Sequence, residues 1–192
     1  VLSFLLRSIG YTKKRSPISD FYSLPLPNDH LVESRLVYLS QLSGDKASIY
    51  SIVTESSKIS FLDHFTLEHR RESTQDLMSI MRRLRNIGNT VGATRTYFKL
   101  DEGLAWNDLV CALYDTPDRH LRLYCIRLSN KIIVVGNGGP KNVRAWQDNP
   151  RLSREVHEMM HYSKIIRIRL NDGSLRVSDD NLKFEGDLML TY

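Results

Sequence analysis

The chain has 192 residues and a mass of 22.2 kDa, with 41% apolar and 26% charged residues. That balance excludes a largely disordered, collagen-like or coiled-coil chain, and the length supports one ordinary domain with an appendage. Twenty-seven Lys and Arg against 22 Asp and Glu give a net charge of +5 and favour an anionic partner. Residues 1–46 mix Ser, Leu and Pro with the basic triplet Lys13, Lys14, Arg15 and show no sustained period, so they are expected to form a loosely structured extension. From Ala47, Ile49, Ile52 and Val53 predict a first strand, and residues 60–69 predict a helix carrying Phe61, Leu62 and Phe65. In the next helix Ser73 and Asp76 carry a capping-box signature. Leu77, Ile80, Met81 and Leu84 there mark one buried face, Arg82, Arg83 and Arg85 the exposed side, and Gly88 the stop.

Extended segments follow at 97–100, 109–114, 121–128 and 131–135, with turn chemistry at 115–118 and at Ser129-Asn130 between the last three, which predicts an antiparallel meander. Asn149 and Pro150 form an N-cap and first-turn pair. Leu152, Val156, Met159, Ile166 and Leu170 trace the apolar stripe of a C-terminal helix that Asn171-Asp172-Gly173 ends. Between residues 119 and 154 there are eight Lys and Arg against the single acid Asp148, whereas residues 171–192 hold five acids against Arg176 and Lys183. A basic groove for phosphate is expected, with an acidic tail able to lie near it. No stretch reaches the length of a bilayer-spanning helix, and the opening VLSFLL run has no basic segment before it. Together with Cys111 and Cys125 as buried thiols, this predicts a cytoplasmic protein without membrane partners.

The order of strand, helical pair, meander and C-terminal helix resembles the RelE/ParE (HigB-like) toxins of type II toxin–antitoxin modules over residues 47–170. The resemblance rests on LRNIGNTVGATRTYFKLDEG, then VCALYD, then LRLYCIRLSNKIIVVGNGGPK and the helix beyond. It implies an α+β fold with an N-terminal strand and helical pair packed on an antiparallel sheet, followed by a C-terminal helix; the charge count adds the acidic tail at 171–192. It also implies a toxin that cleaves messenger RNA on the ribosome, with a cognate antitoxin, the ribosome and mRNA as partners.

Cutting RNA without a metal or other cofactor requires taking one proton, giving another and stabilising a phosphorane that carries extra negative charge. Strand alternation puts Arg122 and Tyr124 on one face of segment 121–128, with Leu121, Leu123 and Cys125 on the other. Arg122 matches the strand arginine that the resemblance assigns to the scissile phosphate, and Lys141 falls where the family places further basic catalytic residues. Tyr124 and His120 complete the expected catalytic set. Arg119, Arg127 and Arg144 are the expected RNA contacts. Residues 136–140 meet neither the P-loop nor the dinucleotide pattern and are expected to form a flexible turn that lets RNA approach Lys141.

Two other functions compete. A ParE-like member keeps the fold without nuclease chemistry and inhibits an enzyme such as gyrase. A zinc peptidase would use His157 and His161, spaced i and i+4, with Glu158 as base and a third ligand from Glu185 or Asp187. The charged Arg154 and Glu155 argue against this, so no metal is expected. Trp106, Trp146 and the tyrosines show no alternating basic and aromatic platform for stacking bases.

Overall fold

A computed structural model describes residues 33–100, 109–113, 120–143 and 145–191. Its centre is a mixed six-stranded sheet made of β1 (Ser34–Tyr38), β2 (Ser48–Thr54), β3 (Phe98–Lys99), β4 (Val110–Leu113), β5 (Leu121–Arg127) and β6 (Ile132–Pro140), in the spatial order β1-β2-β6-β5-β4-β3. The expected meander is present as β3 to β6. Because it ends beside β2, which lies far back in the chain, the pair β2–β6 runs parallel while the other neighbours are antiparallel. The sheet is thus mixed and not purely antiparallel.

Helices cover both faces. The two helices α1 (Phe61–His69) and α2 (Thr74–Asn86) pack over Ile49, Cys111, Leu121, Leu123, Cys125 and Ile133. On the opposite face α3 (Pro150–Asp172) packs over Tyr50, Ala112, Tyr124, Ile126 and Val134. With apolar layers on both sides, alternate residues of β5 enter different cores, which is why a near-continuous apolar run is buried. For α3 the cap behaves as its sequence predicts. The Asn149 side chain accepts from the Arg151 and Leu152 N–H groups, and Gly173, at φ +80°, ends the helix in the left-handed region.

Several expectations are corrected. The extension was expected to reach residue 46, yet β1 pairs along its length with β2, and Leu36 and Leu42 are buried. Its alternation spans only five residues, too few to stand out by period. The helix signature at Ser73 and Asp76 makes no side-chain cap. The reciprocal box forms at Ser60 and Asp63 instead, through Asp63 N–H to Ser60 Oγ (3.1 Å) and Ser60 N–H to Asp63 Oδ2 (3.3 Å). Gly88 does not stop α2, which runs on through a π-type turn at Ile87–Val91 to Gly92 (φ +75°). Gly88 instead lies against the Leu42 carbonyl, where a Cβ would come within 1.9 Å of the oxygen. Residues 136–140 are the end of β6 and not a turn.

The acidic segment is likewise no free tail. It forms a hairpin, β7 (Leu175–Val177) and β8 (Phe184–Gly186), whose Leu175 and Phe184 enter the α3 core together with Leu190. Phe184 lies 4.9 Å from the Tyr50 ring and donates its N–H to Tyr50 Oη. Beyond it, Leu190 N–H bonds to Ser34 C=O (2.7 Å), closing the outer edge of β1. Lys131 Nζ donates to the Asp180 carbonyl at 2.7 Å, which places the hairpin at the start of β6, roughly 30 Å from Lys141 at its end. The acidic segment therefore does not lie over the Arg122 and Lys141 end of the sheet. The triplet Lys13, Lys14, Arg15, the turn at 115–118, Arg119 and Arg144 lie outside the described residues.

Candidate nucleic-acid interface

The pairing of β5 with β6 assembles the site. Leu121 lies opposite Pro140, Arg122 opposite Gly139 and Leu123 opposite Gly138, and Lys141 N–H continues the ladder to the His120 carbonyl at 2.5 Å. Residues opposite one another on antiparallel strands share a face, so His120, Arg122 and Lys141 all belong to the α3 face at one sheet end. Arg122 and Lys141 are diagonal neighbours, on the order of 7–8 Å apart at the backbone. Among the described residues the Arg122 guanidinium makes no hydrogen bond or ion pair, and its side chain is half-buried. The His120 N–H donates to Asp76 Oδ2 at 3.1 Å, which ties the start of β5 to the first turn of α2. Asp76 thus anchors the site's backbone where a capping role was expected.

The glycines explain how α3 reaches this end. Gly139 has no side chain, and Arg151, from the first turn of α3, fills the space above it: a Cβ at 139 would lie 2.8 Å from Arg151 Nε. Arg151 Nη2 donates to the Gly138 carbonyl at 3.1 Å, and the guanidinium forks onto Glu68, with one contact of 2.6 Å to Oε2 and a second to Oε1. That pairing raises the Arg151 pKa, and the same hydrogen bonds hold the Glu68 carboxyl below its ordinary value. One helical turn on, Glu155 is pushed up to about 7. Burial is the largest cause and Glu158 adds to it, while Arg151 and Arg154 pull the other way. A carboxyl titrating near neutrality beside Arg151 has the properties a proton-transfer group needs.

Arg151 and Glu155 were not singled out from the sequence as site residues. The Asn149-Pro150 cap did place Arg151 in the first turn of a helix, but only the packing of that helix on β6 brings it above Gly139, across from Arg122.

Other expected residues do not join. Tyr124 shares the face of Arg122 but is 1% exposed and sits in the α3 core, where it packs out of reach of any ligand at the surface. Arg127 lies five residues along β5, roughly 17 Å away and on the α1–α2 face. Its Nε donates to the Ala93 carbonyl at 2.7 Å and its Nη2 to Asn130, and burial lowers its pKa. His157 Nδ1 bonds to the Ser153 carbonyl at 2.7 Å, and its ring stands edge-on to Trp146. His161 stands against Tyr162, with its pKa lowered by burial and by Lys164. Asp187, a suggested third zinc ligand, pairs with Arg169 two turns beyond His161 and accepts the Met189 N–H, while Glu185 is exposed on β8 opposite Arg176. Among the described residues no group of three His, Cys, Asp or Glu comes together. Cys111 and Cys125 face each other across β4 and β5 as buried thiols, and burial pushes Cys125 well above its ordinary pKa.

No helix among the described residues is long and apolar enough to cross a membrane. Comparisons of the chain with protein-family models, with curated proteins and with solved structures return no match.

Proposed function

We propose that the protein is the toxin of a type II module, a metal-independent endoribonuclease of the RelE/ParE (HigB-like) kind that cuts ribosome-bound mRNA and is restrained by an antitoxin. The observation that carries this reading is the convergence of His120, Arg122 and Lys141 on one face of one sheet end, with the Arg122 guanidinium uncommitted. Arg122 binds two oxygens of the scissile phosphate through its planar fork, and Lys141 adds a point charge as the phosphorane forms. The ribose 2′-oxygen forms the new bond to phosphorus and gives its proton to a base. The bond to the 5′-oxygen breaks, and that oxygen takes a proton from an acid. His120 sits beside Lys141 to serve one of these transfers and Glu155 lies on the Arg151 side to serve the other. The products are a 2′,3′-cyclic phosphate and a 5′-hydroxyl. β4 is buried at all four of its residues, whereas β5 presents Arg122 and the chain just past β6 presents Lys141.

Induced expression in bacteria tests the reading. Wild type should arrest growth and generate new mRNA 5′ ends, and Arg122→Ala and Lys141→Ala should each relieve both effects. Growth arrest with intact mRNA and inhibited gyrase would move the protein to the ParE-like function. Absence of arrest by wild type ends the toxin reading.

A further inference from the structure

At the β5–β6 end one arginine already holds an anion, and that anion is the protein's own. Arg151 stands in the first turn of α3, at the positive end of the helix dipole, where a cation is disfavoured. Helix stability therefore does not account for it. Its guanidinium forks onto both oxygens of Glu68, from α1, in the bidentate manner that suits a carboxylate or a phosphate equally. The same group is fixed by β6. Arg151 Nη2 donates to the Gly138 carbonyl at 3.1 Å, and Nε lies over Gly139, where an added Cβ would come within 2.8 Å of it. Gly139 is the residue opposite Arg122, about 5.5 Å away at Cα, so the two arginines are neighbours on one face.

The partners of this ion pair differ in what else holds them. Without Glu68, Arg151 keeps its bond to β6 and its packing over Gly139. Glu68 makes no other hydrogen bond among the described residues, and a second partner is within reach: His64 Nδ1, one turn back on α1, stands 3.9 Å from Glu68 Oε2. The side chains of Arg151 and Glu68 are 32% and 36% exposed, and an ion pair that wet adds little net stability, so a phosphate diester can displace the carboxylate at small cost. Glu155, the other acid beside Arg151, titrates at about 7 and carries only part of a charge at neutral pH.

We infer that Arg151 is a second phosphate-binding arginine of this site, and that the Glu68 carboxylate fills its fork in place of a phosphate until RNA arrives. The choice of RNA rests on the function proposed above. The exchange breaks no covalent bond: the phosphate oxygens take the two N–H donors and Glu68 swings toward His64. A phosphate gripped by Arg122 from β5 and by Arg151 from α3 is fixed in orientation as well as in place. An anion that meets Arg151 alone does not displace Glu68.

The test measures binding of a fluorescent 2′-O-methyl RNA, which lacks the attacking hydroxyl, to the full chain at about 50 mM salt. Glu68→Gln should tighten binding about 3–5-fold, the scale of an exposed ion pair. With Arg151→Gln already in place the same change should shift affinity less than about 1.5-fold, because no fork is left to release. Glu72→Gln removes an equal charge from an exposed position just beyond α1 and should also have an effect below about 1.5-fold. Thermal melts check that each variant is folded. Should Glu68→Gln melt low, Glu68→Asp keeps the charge, falls one methylene short of the fork and should tighten binding in the same direction. An equal gain with and without Arg151, or from Glu72→Gln, would reduce Glu68 to a diffuse negative field and overturn the inference. No gain, or a loss, would make the pair a plain tether between α1 and α3 and overturn it too. The two proposals fail separately. A non-toxic wild type whose RNA binding tightens through Arg151 on loss of Glu68 sinks the nuclease and leaves the guarded arginine, whereas a toxic wild type indifferent to Glu68 in RNA binding does the reverse.

Discussion

Replacing Gly138 by Ala should be the most damaging single-methyl change on β6. A Cβ there would stand 1.8 Å from the Arg122 carbonyl oxygen, 2.8 Å from its carbon and 3.2 Å from Leu123 Cα, all of them backbone atoms of β5. An ordinary carbon–oxygen approach is about 3.3 Å, so the strands would have to part by more than about 1 Å where Arg122 is held. No side-chain rotation relieves this. Overpacking costs about 1–3 kcal/mol, and each ladder hydrogen bond weakened by the parting adds about 1 kcal/mol, so we expect a loss of about 3–4 kcal/mol. For a domain of this size that lowers Tm by about 6–16 °C. At Gly136 the obstacle is the Met159 sulfur, 2.1 Å from the added carbon. A thioether can repack, so Gly136→Ala should cost less. At Gly173 nothing lies within 4 Å of the added Cβ, and only the left-handed φ of +80° is penalised, by about 1 kcal/mol. Thermal melts of the three variants should rank 138, 136, 173 from worst to mildest. Gly138→Ala melting within about 2 °C of wild type, or less damaging than Gly173→Ala, would refute the reasoning about strand approach.

Two more outcomes follow from the structure. Glu155, raised from the ordinary carboxylate value to about 7, binds its proton more tightly in the folded state than in the unfolded chain. Burial, with Glu158 and Glu68 adding to it and Arg151 and Arg154 opposing it, therefore leaves the native state losing stability as pH rises from about 4.5 to 7, by on the order of 1–3 kcal/mol. Glu155→Gln should flatten that part of the Tm profile and melt above wild type at pH 8, and an unchanged profile would remove Glu155 as the titrating group. Phe184→Ala, in the hairpin, should cost about 3–4 kcal/mol because the ring is 7% exposed and packs at a tilt against Tyr50. A loss under about 0.5 kcal/mol in denaturant melts would mean the acidic segment behaves as a free tail after all.

Local signals in the sequence carried both ends of α3 and the meander β3 to β6, but not the cap and stop of α2, nor β1. Asn149-Pro150 and Gly173 bound α3 because capping groups and a left-handed glycine act on their own neighbours. The alternation of Leu121, Leu123 and Cys125 against Tyr124 sorted the faces of β5 correctly, since side-chain direction in a strand is a property of the backbone. The same rule placed Arg122 on the α3 face. It could not separate an arginine at the sheet end from a tyrosine two residues further under α3, because alternation fixes a side and not a depth. Residues 136–140 read as a turn by composition, yet glycines serve a strand equally well where another backbone or a helix must come close.

What the chain could not announce is anything resting on partners distant in sequence. Glu68 and Arg151 are 83 residues apart, and Phe184 and Tyr50 are 134 apart. Asn86 and Tyr97 meet at 2.8 Å only because the chain turns back after the helical path that ends at Gly92. Periodicity and capping report on the few residues within a turn or a pleat, and they determined here α1, α3 and the strands of the meander together with the side chains these show to the core. Which charged groups then stand together was decided by how α1 and α3 dock on the two faces of β6.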